Sequence, residues 1–182
     1  MAEITYQMLL STIQTAGLLV GIFYYIMTLK NQQRNQELSL KAQQQTLETR
    51  QAQLFMGIYN QTVSSDYVSA RTKVARLDYS NFNDFMKIYD PDLSPEAKEN
   101  YEALDYMISF YEGLGVLVKE GLAPIRYVAL LMAGITRRLW EKLGLVITEI
   151  REYNNQPRIA SEWEYLYNEL MKYIEEHPEL AT

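Results

Sequence analysis

Residues 4–29, ITYQMLLSTIQTAGLLVGIFYYIMTL, decide how the rest of the chain is read, because no charged residue lies between Glu3 and Lys30. At about 1.5 Å per residue this stretch reaches roughly 39 Å as a helix, enough to cross a hydrocarbon core of about 30 Å with some tilt. Tyr6 near one end and Tyr24 and Tyr25 near the other suit the two interfaces, where amphipathic rings collect. A cleaved signal peptide would need a basic start and a small-residue cleavage site. This chain starts acidic, and its apolar run ends in Met27-Thr28-Leu29-Lys30. A buried soluble helix is the other alternative, but apolar runs of this length are rare outside membranes. Residues 1–30 are therefore read as a transmembrane helix, with the lipid bilayer as partner.

Orientation follows from the flanks. Lys30 and Arg34 follow the span, whereas Glu3 and the amino terminus precede it. Excess Lys and Arg mark the cytoplasmic side, so the amino terminus is expected outside and the larger part of the chain in the cytoplasm. Within the span, Gln7, Ser11, Gln14, Leu18, Gly21, Tyr25 and Thr28 recur at alternating spacings of four and three, which is one helical face. Gly17 and Gly21 form a G-x-x-x-G pair, with Gly17 at the edge of that face. Small residues let helices approach closely in lipid, and Gln or Ser can hydrogen-bond across them. The face Gln7, Ser11, Gln14, Gly17 and Gly21 is thus expected to make the chain a homo-oligomer.

Residues 31–53, NQQRNQELSLKAQQQTLETRQAQ, hold eight glutamines and no Gly or Pro. They read as a helical stalk, with a flexible polar linker as the alternative. Leu40, Leu47 and Leu54 repeat at seven, as along a weak coiled-coil seam. Residues 54–182 read as a compact cytosolic helical bundle. Ser64 or Ser65 caps one helix, and a short helix surrounds Phe82, Phe85 and Met86. Ser94-Pro95-Glu96 opens a helix that stops at Gly121. Pro124 starts the next, with Val128, Leu131, Ile135 and Leu139 inward and a bend at Gly134 or Gly144. Ser161 and Glu164 form a capping box for the last. No stretch reads as a strand pair, so the class is all-α.

Composition narrows the function. Cysteine is absent and the only histidine is His177, which leaves no thiolate or multi-histidine metal site and no Ser-His mechanism in the core. A net charge of −6 argues against a nucleic-acid partner, whose affinity rests on neutralising phosphates. No P-loop or dinucleotide-binding glycine pattern is present, and no cofactor is expected.

Two runs look familiar: Phe110-Tyr111-Glu112-Gly113-Leu114-Gly115-Val116-Leu117-Val118-Lys119-Glu120-Gly121-Leu122 and Arg137-Arg138-Leu139-Trp140-Glu141. With the span and the Gln-rich stalk they resemble a broad prokaryotic family of uncharacterised membrane-anchored helical proteins, some of whose members are linked to phage abortive infection. That resemblance implies the layout and lends no catalytic residues. Read from chemistry alone, Glu112 lies beside Tyr111 on an apolar helix. Arg137 or Arg138 is expected to pair with it, since an unpaired buried carboxylate is costly. A catalytic Glu112 would need a second acid, a base or a metal at a plausible spacing.

Three functions remain open to the sequence. The first is a non-enzymatic, membrane-anchored scaffold, or an accessory subunit of a membrane complex. The second is a homo-oligomeric pore lined by Gln7, Ser11 and Gln14. The third is an enzyme or ligand sensor with an unrecognised pocket.

Overall fold

The computed structural model describes residues 2–180, with side chains from Thr5 onward, so Glu3 and Ile4 enter the sequence reading but not the side-chain geometry. Among the described residues six α-helices follow one another: α1 (Ala2–Thr62), α2 (Ser65–Arg76), α3 (Phe82–Tyr89), α4 (Pro95–Lys119), α5 (Ile125–Tyr153) and α6 (Ser161–Glu176), with a 3-10 turn at Pro178–Leu180. No strand occurs among the described residues. The class is all-α. The chain divides into two units, residues 1–50 and 51–182.

The first unit is helical throughout its described length. Among the described residues, α1 is the one helix long and apolar enough to cross a membrane. From Thr5 to Arg50 every described side chain is exposed except Thr28, which is partly covered. Hydroxyls of the apolar stretch find acceptors within the helix. Thr12, Thr15 and Thr28 donate through Oγ1 to the carbonyls of Met8, Ser11 and Tyr24 at 2.8, 2.8 and 2.9 Å. A hydroxyl satisfied four residues back adds little polarity to the helix surface. Farther along, Lys41 pairs with Glu37 at 2.8 Å and Gln44 donates to Glu48 at 3.1 Å. Such i,i+4 contacts support a glutamine-rich helix by about 0.2–0.5 kcal/mol each.

The second unit is organised around α4, which packs against α2, α3 and α6, while α6 also packs on α5. The start of α4 is the one its sequence announces: Ser94 accepts a hydrogen bond from the Ala97 N–H at 3.0 Å, with Pro95 in the first turn. Ser64 and Asn81 cap α2 and α3 in the same way. Leu104, Met107 and Tyr111 of α4 are fully buried, together with Val74, Phe85, Leu143, Ile147, Trp163, Leu166 and Leu170 from the helices around it. Each large apolar side chain so covered contributes about 1.5–3 kcal/mol. Ile58, in the last turns of α1, joins this core, and Phe55 meets Tyr127 edge-on at 5.2 Å.

The bend in α5 lies at Met132 (φ −152, ψ 19), not at Gly134 or Gly144 as the sequence led us to expect. The break shifts the buried stripe. Met132, Ala133 and Thr136 turn inward, and Leu131 and Ile135 are left half-buried. At Gly144 a Cβ would lie 3.3 Å from Nε1 of Trp140, so that glycine makes room for an indole.

Candidate functional site

Helix α6 begins without a cap of its own. Ala160, the residue before it, sits in the left-handed region (φ 54) and offers no side-chain acceptor. The first N–H groups of a helix need partners and carry a partial positive charge. Glu112, on α4, supplies what is missing: its Oε2 accepts from the Glu162 N–H at 3.2 Å. Burial pushes the Glu112 carboxyl above its ordinary pKa of 4.5. The Glu162 N–H opposes that shift, the Glu162 charge adds to it, and Arg151 opposes it again.

Three residues of α4 on one face build this junction. One turn beyond Glu112, Gly115 passes so close to α6 that a Cβ there would lie 2.1 Å from the Glu162 carbonyl oxygen. A further turn on, Lys119 reaches Glu162 at 2.9 Å, with the carboxylate largely covered. From α5, Arg151 donates through Nε to the Ile159 carbonyl and through Nη1 to Glu164 Oε2, both at 2.7 Å. Glu112 Oε1 and Arg151 Nη2 are buried there without a hydrogen-bond partner.

Two expectations are corrected here. Ser161 and Glu164 do not form a capping box, because α6 starts at Ser161 itself and Glu164 turns to Arg151. Nor do Arg137 and Arg138 hold Glu112. Arg137 lies 3.9 Å from Glu141, and Arg138 Nε donates to the Gly134 carbonyl at 3.1 Å. Glu112 faces the start of α6, which follows closely on the end of α5. The α5 arginine near it is therefore Arg151, about four turns beyond Arg137. Sequence reasoning missed Gly115, Lys119 and Arg151. Gly115 left a signal, because a glycine inside a strong helix pattern marks close backbone approach.

Glu112 also lines an open groove of about 1010 Å³, with Asp105, Tyr89, Tyr101, Tyr153 and Arg158. Burial, helped by Tyr101 and Asp105, pushes the Tyr89 phenol up to about 12, so it stays a hydrogen-bonding group across the physiological range. Deeper in the domain, the hydroxyls of Tyr67 and Tyr111 meet at 3.1 Å, and Tyr111 stacks on Trp163 with centroids 4.5 Å apart. The buried Thr136 hydroxyl neighbours Tyr111 without completing a hydrogen bond of ordinary geometry. Among the described residues no group of three or more His, Asp or Glu side chains is arranged to hold a metal ion.

In the first unit, Gln7, Ser11, Gln14, Gly17 and Gly21 all lie exposed on α1. Among the described residues the Gln7, Ser11 and Gln14 side chains make no hydrogen bond. A Cβ added at Gly17 or Gly21 would meet nothing within 4 Å.

Fold and site together define an all-α chain with, among its described residues, one potential membrane-crossing helix and a helical domain clasped at a polar junction between α4, α5 and α6. The chain belongs to the family of the domain of unknown function DUF4760, whose model matches residues 11–170. No curated protein and no solved structure matches it.

Proposed function

We propose that this chain is a single-pass membrane protein that self-associates through α1 and carries its helical domain on the cytoplasmic side as a non-enzymatic scaffold or accessory subunit. One observation carries the reading. In the charge-free part of α1 the Thr12, Thr15 and Thr28 hydroxyls bond within the helix, while among the described residues the amides of Gln7 and Gln14 have no acceptor or donor. A primary amide facing hydrocarbon without a partner costs several kcal/mol by transfer estimates, of order 4–8 against an alkane. The same face on a second copy satisfies it, and Gly17 and Gly21 leave room for the backbones to approach. The junction at Glu112 supports a structural rather than catalytic part for that residue, since its Oε2 is engaged by the Glu162 N–H at the start of α6.

The test is the mass of the detergent-solubilised full chain by light scattering. Wild type is expected as a discrete oligomer, and Gly21→Ile combined with Gln14→Leu as a smaller species. An unchanged mass would remove the self-association. Ion conductance in planar bilayers that disappears in the same variant would make the face a pore lining instead. Because the resemblance is to a family with members linked to phage defence, survival under phage challenge is the first cellular assay.

A further inference from the structure

A second groove, of about 470 Å³, is lined by residues of α2 and α5. Its charged residues are Arg71 and Arg76 from α2 and Arg138 and Lys142 from α5, and no carboxylate lines it. This is unexpected from charge alone, since 23 acids face 17 lysines and arginines in the whole chain. Other bases of the domain take their share of those acids: Lys73 pairs with Glu99, Lys119 with Glu162 and Arg151 with Glu164. Among the described residues none of the four groove bases forms an ion pair.

Three of them, Arg71, Arg138 and Lys142, meet neutral groups instead. Arg138 Nε donates to the Gly134 carbonyl at 3.1 Å, and Lys142 Nζ donates to the Ala75 carbonyl at 2.7 Å. The Arg71 guanidinium stands 6.0 Å from the centre of the Tyr67 ring. Among the described residues the terminal nitrogens of the three arginines are thus left without acceptors, and the Arg71 and Arg138 side chains are already partly fixed. Like charges gathered in a recess repel one another, and low-dielectric walls strengthen that repulsion. An anion between them reverses the sign of the energy.

We propose that this groove binds a phosphate group, carried either by a soluble molecule or by a lipid head group. Guanidinium forks match phosphate oxygens two at a time, and a lysine adds a point charge. Burial already holds the Lys142 ammonium below its ordinary pKa, against the pull of Asp78, so a bound dianion would strengthen its charged form. None of this depends on membrane anchoring or on self-association.

Unfolding of the purified full chain, followed by circular dichroism, tests the proposal in two arms. In neutral detergent, inorganic pyrophosphate is added against sodium chloride of equal ionic strength. In nanodiscs, phosphatidylcholine alone is compared with phosphatidylcholine containing phosphatidic acid. A specific ligand of the native state raises the midpoint. The expected result is a rise in at least one arm that shrinks threefold or more in Arg71→Gln and in Arg138→Gln, with Arg138→Lys retaining part of it. A rise in the pyrophosphate arm identifies a soluble phosphate, and a rise confined to phosphatidic acid identifies the head group. If Arg138→Gln lowers the starting midpoint, Arg76→Gln, on an exposed side chain, replaces it. No rise in either arm, or equal rises in wild type and the glutamine variants, overturns the site.

Discussion

Gly113 and Gly115 stand two residues apart in α4 and call for opposite expectations. A Cβ at Gly113 meets nothing within 4 Å, so Gly113→Ala should stabilise the domain by about 0.4–1 kcal/mol through helix propensity. A Cβ at Gly115 runs into the Glu162 backbone, which cannot rotate away, so Gly115→Ala should cost about 1–3 kcal/mol. Denaturant midpoints of the two variants decide this, and equal shifts would refute the close approach. Glu112→Ala removes the acceptor at the start of α6 and should cost about 1 kcal/mol, as the loss of a helix cap does. The Glu112 pKa is raised in the folded state, so its favourable contribution is complete below 4.5 and is lost as pH rises through the folded value. Wild type should therefore lose stability relative to Glu112→Gln as pH climbs from about 4 toward neutrality, read from paired urea titrations. That Glu112 is partly covered was legible in the apolar run around it. Its partner was not, because a backbone N–H fifty residues away leaves no mark on side-chain spacing.

Elements with a local signal were legible, and those governed from a distance were not. Ser94-Pro95-Glu96 carries its cap, its proline and its acid within three residues, and α4 starts there. The Ser161 and Glu164 spacing imitates a capping box, but Arg151 outcompetes the local bond by offering Glu164 a charged donor at 2.7 Å. The bend of α5 was sought at a glycine and falls at Met132, a buried residue whose surroundings, rather than its own flexibility, set its backbone. For α1 the expectation concerns association. Full-length Gly21→Ile with Gln14→Leu should run as a smaller particle than wild type, whereas Leu40→Ala with Leu47→Ala should leave the mass nearly unchanged. The two leucines are exposed along a stretch made mostly of glutamine and charge, which holds helices together poorly.

At the scale of the whole molecule, the core lies entirely in the second unit, between Ile58 and Leu170. Residues 51–182 should accordingly express as a soluble, cooperatively unfolding domain, checked by coincident circular dichroism and fluorescence transitions. A reporter fused after Thr182 should be active only in the cytoplasm, because Lys30 and Arg34 oppose translocation of their side of the span. Protease digestion of that domain from outside intact cells would reverse the orientation. The use of Glu112 to open α6 carries one more consequence, for the order in which the chain is made. The ribosome releases α4 well before α6, so the carboxylate waits for the helix it will start. A chain stopped before Glu162 leaves that carboxylate with no N–H to receive and Trp163 missing from the core. The segment that closes the domain thus emerges after the rest of its core, and quality-control proteases would meet a chain stopped before it as an open one.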